Sequence, residues 1–190
     1  MSDAAPNPPL NPPLNPPIGA VRRKPSVRFM LSHPARPIAL GFGSGLSPVA
    51  PGTVGTLWAW LVFWLFKPDM SDLQWAGVCL AAFFVGWWAC TATARHLGTA
   101  DPGAIVWDEV LAFWLILWVV TPAGFWTQLV AFALFRFFDA AKPGPVAWAD
   151  KLFKRRAGRP IGWAQGFGIL FDDLVAALCT LLVMALWRWW

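Results

Sequence analysis

Residues 166–187 read GFGILFDDLVAALCTLLVMALW, an apolar run of membrane-spanning length that contains Asp172 and Asp173. A helix needs about 20 predominantly apolar residues to cross the hydrocarbon layer of a bilayer. A carboxylate in such a helix costs roughly 2.5–3.5 kcal/mol at the membrane centre and less near a helix end. The run therefore predicts a membrane helix whose acidic pair lies near one end and contacts a base, a cation or a substrate.

The composition of the whole chain is typical of a membrane protein. Of its 190 residues, 57% are hydrophobic and 13% are charged, and they include 15 Trp and 15 Phe but no Tyr. Soluble domains average about 45–50% apolar and about 25% charged residues. So many aromatic side chains exceed what one small soluble core can bury, and the formal net charge of +5 favours an anionic membrane surface.

Five apolar segments predict an all-α fold, a polytopic helical membrane protein with about four to five membrane segments. The segments lie at roughly 54–66, 73–93, 104–121, 125–138 and 167–187. Only the second and the fifth reach about 20 residues, so we expect some of the others to be short or re-entrant. Pro122 and Gly124 leave room for only a tight turn between the third and fourth segments, which predicts a helical hairpin.

The N-terminal segment differs from the rest of the chain. Residues 1–25 contain three successive repeats, Asn-Pro-Pro followed by Leu or Ile, beginning at Asn7. Prolines fix φ and remove backbone donors, so the segment is predicted to be a disordered tail ahead of a membrane-embedded domain at 26–190. It lacks the continuous apolar core of a signal peptide, and we expect no cleavage there.

The basic residues predict the orientation of the chain, because cytoplasmic loops retain Lys and Arg. With the N-terminus in the cytoplasm, all of the 15 Lys and Arg except Lys67 and Arg188 fall on the cytoplasmic side.

Seven of the ten acidic residues lie at or just inside the predicted cytoplasmic helix ends, and these are Asp101, Asp108, Glu109, Asp139, Asp150, Asp172 and Asp173. We expect them to converge on one membrane face as a cation or substrate site. The alternative for the pair at 172–173 is ion pairing with Arg136 or Lys142. Arg136 and Asp139 are three residues apart on one helix face and can form a local salt bridge.

The segment 41–56 reads GFGSGLSPVAPGTVGT and comes immediately before an apolar helix. A Gly-rich loop that leads into a helix N-terminus can hold a phosphate with its backbone N–H groups. The segment matches neither the P-loop nor the dinucleotide fingerprint, and an ordinary helix start explains it as well.

Known phosphatase signatures can be tested by the spacing of their residues, and none of those tested matches this chain. Cys90 and Arg95 do not have Cys-x5-Arg spacing, the chain has no Asp-x-Asp pair, and His33 and His96 give poor support to a two-histidine mechanism. The three cysteines form neither a disulfide pattern nor a zinc pattern. Carboxylate and metal chemistry remain.

The order of these motifs resembles the phosphatidylglycerophosphatase A family of bacterial membrane lipid phosphatases. The resemblance runs from about Ile38 to Ala177 and rests on residues 41–56, 101–109, 135–145 and 166–173. It implies Mg²⁺-dependent removal of the terminal phosphate of phosphatidylglycerophosphate, which yields phosphatidylglycerol. It also implies a bacterial inner-membrane protein whose active site faces the cytoplasm, with a membrane phospholipid as substrate and no nucleic-acid partner.

The resemblance and the chemistry of the side chains assign roles to these residues. Mg²⁺ prefers oxygen ligands, and the candidate ligands are Asp101, Asp108, Glu109, Asp139, Asp172 and Asp173. The candidate catalytic residues are Asp139, Asp172 and Asp173. The candidates for holding phosphate oxygens are Gly43, Ser44, Gly45, Arg136 and Lys142.

The chain departs from the family pattern at Gly144, where a bulky aromatic residue is usual, and in an extra stretch at 157–165. Neither departure removes a carboxylate.

Two other classes of function stay open at this point. A small divalent-cation transporter also needs intramembrane carboxylates, but near the midplane. A scaffold could recruit partners through the proline repeat, which leaves the carboxylates unexplained.

Overall fold

The structure is a computed structural model that describes residues 25–153 and 160–189. All regular secondary structure in these ranges is helical, which confirms the all-α prediction for them. The α-helices are α1 Val27–Leu31, α2 Ala35–Ala39, α3 Pro51–Phe66, α4 Asp72–Leu97, α5 Trp107–Val120, α6 Phe125–Ala141, α7 Pro145–Leu152 and α8 Trp163–Trp189. Short 3-10 helices occur at Gly41–Leu46 and Lys67–Asp69. The predicted disordered tail lies, but for Pro25, outside the described residues.

Five helices correspond to the five predicted segments, although their ends differ. Helix α3 begins at Pro51. Proline is favoured at the first position of a helix, because the N–H that it lacks would have no partner within the helix there. Helix α4 extends beyond 73–93 at both ends: a capping box formed by Ser71 and Gln74 fixes its start, and Gly98 in a left-handed conformation caps its end.

The starts of α5 and α8 also differ from the prediction. Helix α5 begins at Trp107 rather than 104, since Ile105 and Val106 belong to the preceding loop, where the Val106 N–H donates to the Ala39 carbonyl at 2.9 Å. Helix α8 begins at Trp163 rather than 167. The acidic pair at 172–173 therefore lies about two and a half turns inside its helix.

Helices α1, α2 and α7 were not predicted, because each is shorter than two and a half turns and lacks an apolar run. The predicted tight turn at 121–124 is present, and α5 and α6 pack against each other on either side of it.

Helix α5 is the centre of the bundle and packs against α3, α4, α6 and α8. Its residues Val110, Leu111, Phe113, Ile116 and Leu117 are at most 1% exposed. A helix of 14 residues is about 21 Å long, shorter than the roughly 30 Å hydrocarbon layer. Because four other helices pack around it, most of this short helix is shielded from the lipid or solvent outside the bundle.

The outer faces of the long helices are apolar. Large exposed hydrophobic side chains occur on α3, α4, α6 and α8, among them Leu61, Trp64, Leu73, Leu80, Phe84, Phe125, Trp126, Leu178, Leu182 and Leu186. Asp72–Leu97 and Trp163–Trp187 are long and apolar enough to cross a membrane.

Close packing of α4 on α5 depends on Gly86. The Trp107 indole lies against this glycine, and its Nε1 donates to the Ala82 carbonyl at 2.9 Å. A Cβ at position 86 would overlap Cδ1 and Nε1 of Trp107, which is itself buried and held by that hydrogen bond.

We predict that Gly86→Ala destabilises the protein by roughly 1–3 kcal/mol, as overpacking of a close-packed site does. Gly77→Ala is the matched control in the same helix, because nothing lies within 4 Å of a Cβ there. The control should be neutral or stabilising by up to about 1 kcal/mol. Unfolding of both variants in detergent, followed by circular dichroism, measures the difference. Equal stability of the two variants would contradict the described packing.

Candidate active site

A cavity of about 280 Å³, the acidic cavity, lies where the starts of α3 and α5 meet the end of α6 and the first half of α8. Its lining residues are Ala50, Pro51, Gly52, Asp101, Gly103, Ile105, Asp108, Glu109, Arg136, Asp139, Ala140, Lys142, Asp172 and Asp173. All six candidate metal ligands and both candidate basic residues are among them. Three separate stretches of sequence, 101–109, 136–142 and 172–173, thus contribute charged groups to one cavity.

Three of the carboxylates form a compact group, the carboxylate triad of Asp108, Glu109 and Asp173. One oxygen of each lies within 4.8 Å of the others. Within the described part of the chain, Asp108 Oδ1, Glu109 Oε2 and Asp173 Oδ2 are buried oxygens without a hydrogen-bond partner. Buried polar atoms almost always have partners, so three orphaned oxygens at one point require an explanation.

A divalent cation would supply a partner for these oxygens and offset the repulsion between the carboxylates. Two carboxylates 4.8 Å apart repel by roughly 3 kcal/mol at an effective dielectric constant of about 20. Carboxylate oxygens are the ligands that Mg²⁺ prefers, usually together with water and substrate phosphate. The residues present therefore fit Mg²⁺.

Arg136, near the end of α6, lies between two carboxylates, one from α5 and one from its own helix. Its Nη1 forms an ion pair with Asp139 Oδ2 and lies 3.7 Å from Glu109 Oε1. The salt bridge expected from the spacing of Arg136 and Asp139 is present. Glu109 therefore faces Arg136 with one oxygen and offers the other to the carboxylate triad.

Lys142 also lies between two carboxylates. Its Nζ is 2.5 Å from Asp172 Oδ2 and 2.9 Å from Asp150 Oδ1. Burial favours the neutral amine, but hydrogen bonds to Asp150 and Asp172 outweigh it and raise the pKa of Lys142 above its usual range. The side chain stays protonated, and the ion-pairing alternative for Asp172 is present in the structure.

Asp172 and Asp173 are neighbours in sequence but have different surroundings. Successive residues of a helix point about 100° apart. Asp172 pairs with Lys142, whereas Asp173 is 3% exposed and belongs to the carboxylate triad. Asp101 lines the same cavity as an exposed residue.

The start of α3 reaches the acidic cavity through Gly52. A Cβ at this position would overlap Glu109 Oε1 and lie 3.1 Å from both terminal nitrogens of Arg136. Ala50 precedes the helix in a left-handed conformation and provides no side-chain cap. First-turn N–H groups of a helix have no partner within the helix, and they attract anions.

Gly43, Ser44 and Gly45 do not line the acidic cavity. The N–H groups of both glycines donate to the Leu40 carbonyl at 3.0 Å, and Ser44 Oγ donates to the Gly41 carbonyl. These groups hold their own loop together. Within the predicted segment 41–56, the part at the cavity is Ala50–Gly52.

Sequence reasoning did not select Gly52 or Asp150 as site residues. For Gly52 a signal was present, because Pro51-Gly52 stands at the start of the apolar helix that follows the Gly-rich loop. Asp150 belongs to the acidic set, but its contact with Lys142 depends on the unpredicted helix α7.

The family model described as Phosphatidylglycerophosphatase A matches residues 37–188. Phosphatidylglycerophosphatase A of Escherichia coli (strain K12) is 36% identical over 154 residues, which are 80% of this chain and 83% of that protein. The protein of the same name from Haemophilus influenzae Rd is 32% identical over 166 residues, 87% of this chain and 96% of its own length.

A putative phosphatidylinositol-3-phosphatase of Bacteroides thetaiotaomicron is 35% identical over 159 residues, 80% of this chain and 92% of that protein. No solved structure shows a significant match.

The two neighbouring aspartates should respond differently to substitution by Asn. We predict that Asp173→Asn weakens Mn²⁺ binding at least about tenfold, because it removes a charged ligand from the carboxylate triad. Asp172→Asn should change the affinity less than about threefold, since its carboxylate is paired with Lys142. Electron paramagnetic resonance of free Mn²⁺ measures both affinities in purified protein.

Thermal unfolding without metal is the control for this comparison. Asp173→Asn should be at least as stable as the unsubstituted protein, because it relieves repulsion between buried carboxylates. Equal Mn²⁺ affinity in the two variants would show that the carboxylate triad is not the metal site.

Proposed function

The chain belongs to the phosphatidylglycerophosphatase A family, and from this premise we propose that it hydrolyses the terminal phosphate of phosphatidylglycerophosphate with the help of Mg²⁺. The family makes the chain a phosphatase, that is, a phosphoric monoester hydrolase. The observation that carries the proposal is the carboxylate triad, with its three orphaned oxygens, beside two fixed basic side chains in one cavity.

The reaction consumes one water and releases inorganic phosphate. The oxygen of water forms a bond to phosphorus, the bond from phosphorus to the glycerol oxygen breaks, and that oxygen leaves as the alcohol with a proton. Phosphoryl transfer needs mainly positioning and neutralisation of charge on the phosphoryl oxygens. Positive groups arranged around the phosphate are therefore the main requirement for the protein.

Asp108, Glu109 and Asp173 would hold Mg²⁺, and the chemistry that such an ion supplies is polarisation of a phosphoryl oxygen and activation of water. Arg136 would bind phosphate oxygens, because a guanidinium has five donors and the described ion pairs engage one terminal nitrogen. Lys142 has three N–H donors, of which its two carboxylate contacts use two.

The first turn of α3 would contribute further donors to the phosphate. Gly52 lines the acidic cavity, and its missing Cβ lets the helix N-terminus approach Glu109 and Arg136. In this arrangement Asp139 and Asp172 act by holding Arg136 and Lys142 in place, while Asp173 belongs to the metal-binding group.

We also propose that the protein is a multi-pass protein of the bacterial inner membrane with the acidic cavity on the cytoplasmic side. The many exposed large apolar side chains on α3, α4, α6 and α8 support burial in lipid, because a bilayer solvates such side chains and water does not. With α3 starting on the cytoplasmic side, the starts of α5 and α8 and the end of α6 fall on that side too. These are the helix ends that line the acidic cavity.

The transporter alternative finds no support. The similar proteins named above are phosphatases, and the candidate carboxylates gather at one end of the bundle.

Activity on lipid phosphates tests the proposed reaction. Purified protein in detergent should release phosphate from phosphatidylglycerophosphate when Mg²⁺ is present, lose this activity in a chelator and regain it with added Mg²⁺. Phosphatidic acid and phosphatidylinositol 3-phosphate are the comparison substrates, and we expect both to react more slowly. Activity that survives chelation would contradict the metal requirement, and faster release from either comparison lipid would contradict the substrate.

Cysteine labelling tests the orientation. We predict that Lys151→Cys reacts with a membrane-impermeant maleimide only after the inner membrane is opened, because Lys151 is an exposed residue next to the basic stretch of sequence at 154–159, and basic segments stay in the cytoplasm. Asp69→Cys, an exposed position between α3 and α4, should react once the outer membrane alone is permeabilised. Both variants are made with Cys79, Cys90 and Cys179 replaced by Ala. The reverse labelling pattern would invert the orientation.

A further inference from the structure

We propose that Asp150 is a positioning residue that holds Lys142 in the orientation needed to bind the substrate phosphate, an inference that rests on the proposed function. Asp150 does not line the acidic cavity. Its Oδ1 nevertheless lies 2.9 Å from Lys142 Nζ, and its side chain is 13% exposed. It is thus connected to the cavity through a residue that does line it.

Helix α7 brings Asp150 to this place. Lys142 ends α6 in a left-handed conformation with a φ of 44°, and Pro145 starts α7 two residues after Pro143. Val146 and Ala149 are fully buried, and α7 packs against α8. This packing places Asp150 beside the ammonium group of a residue eight positions earlier.

The two carboxylates around Lys142 come from different helices. Asp172 belongs to α8 and Asp150 to α7, so the ammonium group is fixed from two sides. Lysine has a long, flexible side chain that gives little directional preference by itself. Two fixed acceptors leave one N–H of Lys142 with a defined direction. Since Lys142 lines the acidic cavity, this donor is available to a phosphate oxygen there.

The loss of Asp150 would leave Lys142 bound to Asp172 alone. The ammonium group could then rotate about that one contact, and its alignment with the phosphate would be lost. The charge of Asp150 therefore matters for the reaction through Lys142 and not through contact with the substrate.

A double-mutant cycle tests this role, because residues that act through one another give non-additive effects. The variants are Asp150→Asn, Lys142→Gln and the double variant. We expect Asp150→Asn to lower kcat/KM for phosphatidylglycerophosphate about tenfold, a large effect for a residue outside the cavity lining. Adding Asp150→Asn to Lys142→Gln should change kcat/KM by less than about twofold.

Binding of inorganic phosphate is a second measurement that a purely structural role would not change. The inhibition constant of phosphate should rise in Asp150→Asn and in Lys142→Gln, and the double variant should match Lys142→Gln. Mn²⁺ affinity should stay unchanged in Asp150→Asn, because the carboxylate triad is separate from Lys142. Asp69→Asn, an exposed carboxylate between α3 and α4, is the matched control and should keep full activity.

The outcomes separate this inference from the proposed function. If the unsubstituted protein does not hydrolyse phosphatidylglycerophosphate, the proposed function fails. If it does, and the effects of Asp150→Asn and Lys142→Gln on kcat/KM multiply independently, the positioning role is wrong. Should Asp150→Asn fold poorly, the comparison of Lys142→Gln with the double variant still decides, because neither variant contains the Lys142 ammonium group. A further loss in the double variant would overturn the proposal.

Discussion

Buried carboxylate oxygens without hydrogen-bond partners at the junction of α5 and α8 are the constraint on which the rest of the site depends. Asp108 and Glu109 start the central helix, and Asp173 faces them from α8 with a buried oxygen that has no partner in the described chain. Such a group is costly to bury unless a cation compensates it. The fold brings these carboxylates together in spite of that cost, which favours a binding role over a structural one.

Asp139 and Asp172, which also line the cavity, are paired with basic residues, and this separates them from the carboxylate triad. Asp139 holds Arg136, and Asp150 and Asp172 hold Lys142. These pairs place two permanent positive charges beside the carboxylate triad. Under the proposed function, the anionic oxygens would bind a metal ion and the basic groups would bind a phosphate, and a lipid phosphate bound with its metal ion would satisfy both.

The position of the cavity follows from the helix arrangement. Helix α5 is too short to cross a bilayer on its own, but it is buried among α3, α4, α6 and α8. Its acidic first turn lies at one end of the bundle. The first turn of α3, with Gly52, and the last turn of α6 lie at the same end. In a membrane protein this end is close to the lipid headgroups, which is where the phosphate of a phospholipid substrate lies.

The sequence by itself determined the helical class, the five long helices and the convergence of the acidic residues, because apolar runs and the charged residues inside or beside them are visible without a structure. It did not determine which partner each charge takes. Asp172 and Asp173 are equivalent in sequence, yet one contacts Lys142 and the other joins the carboxylate triad. Only the tertiary structure decided this, since each contact joins helices distant in sequence and depends on a side-chain direction that changes by about 100° per residue. For the same reason, the contacts of Gly52 and Asp150 became visible only once α3 and α7 were packed against their neighbours.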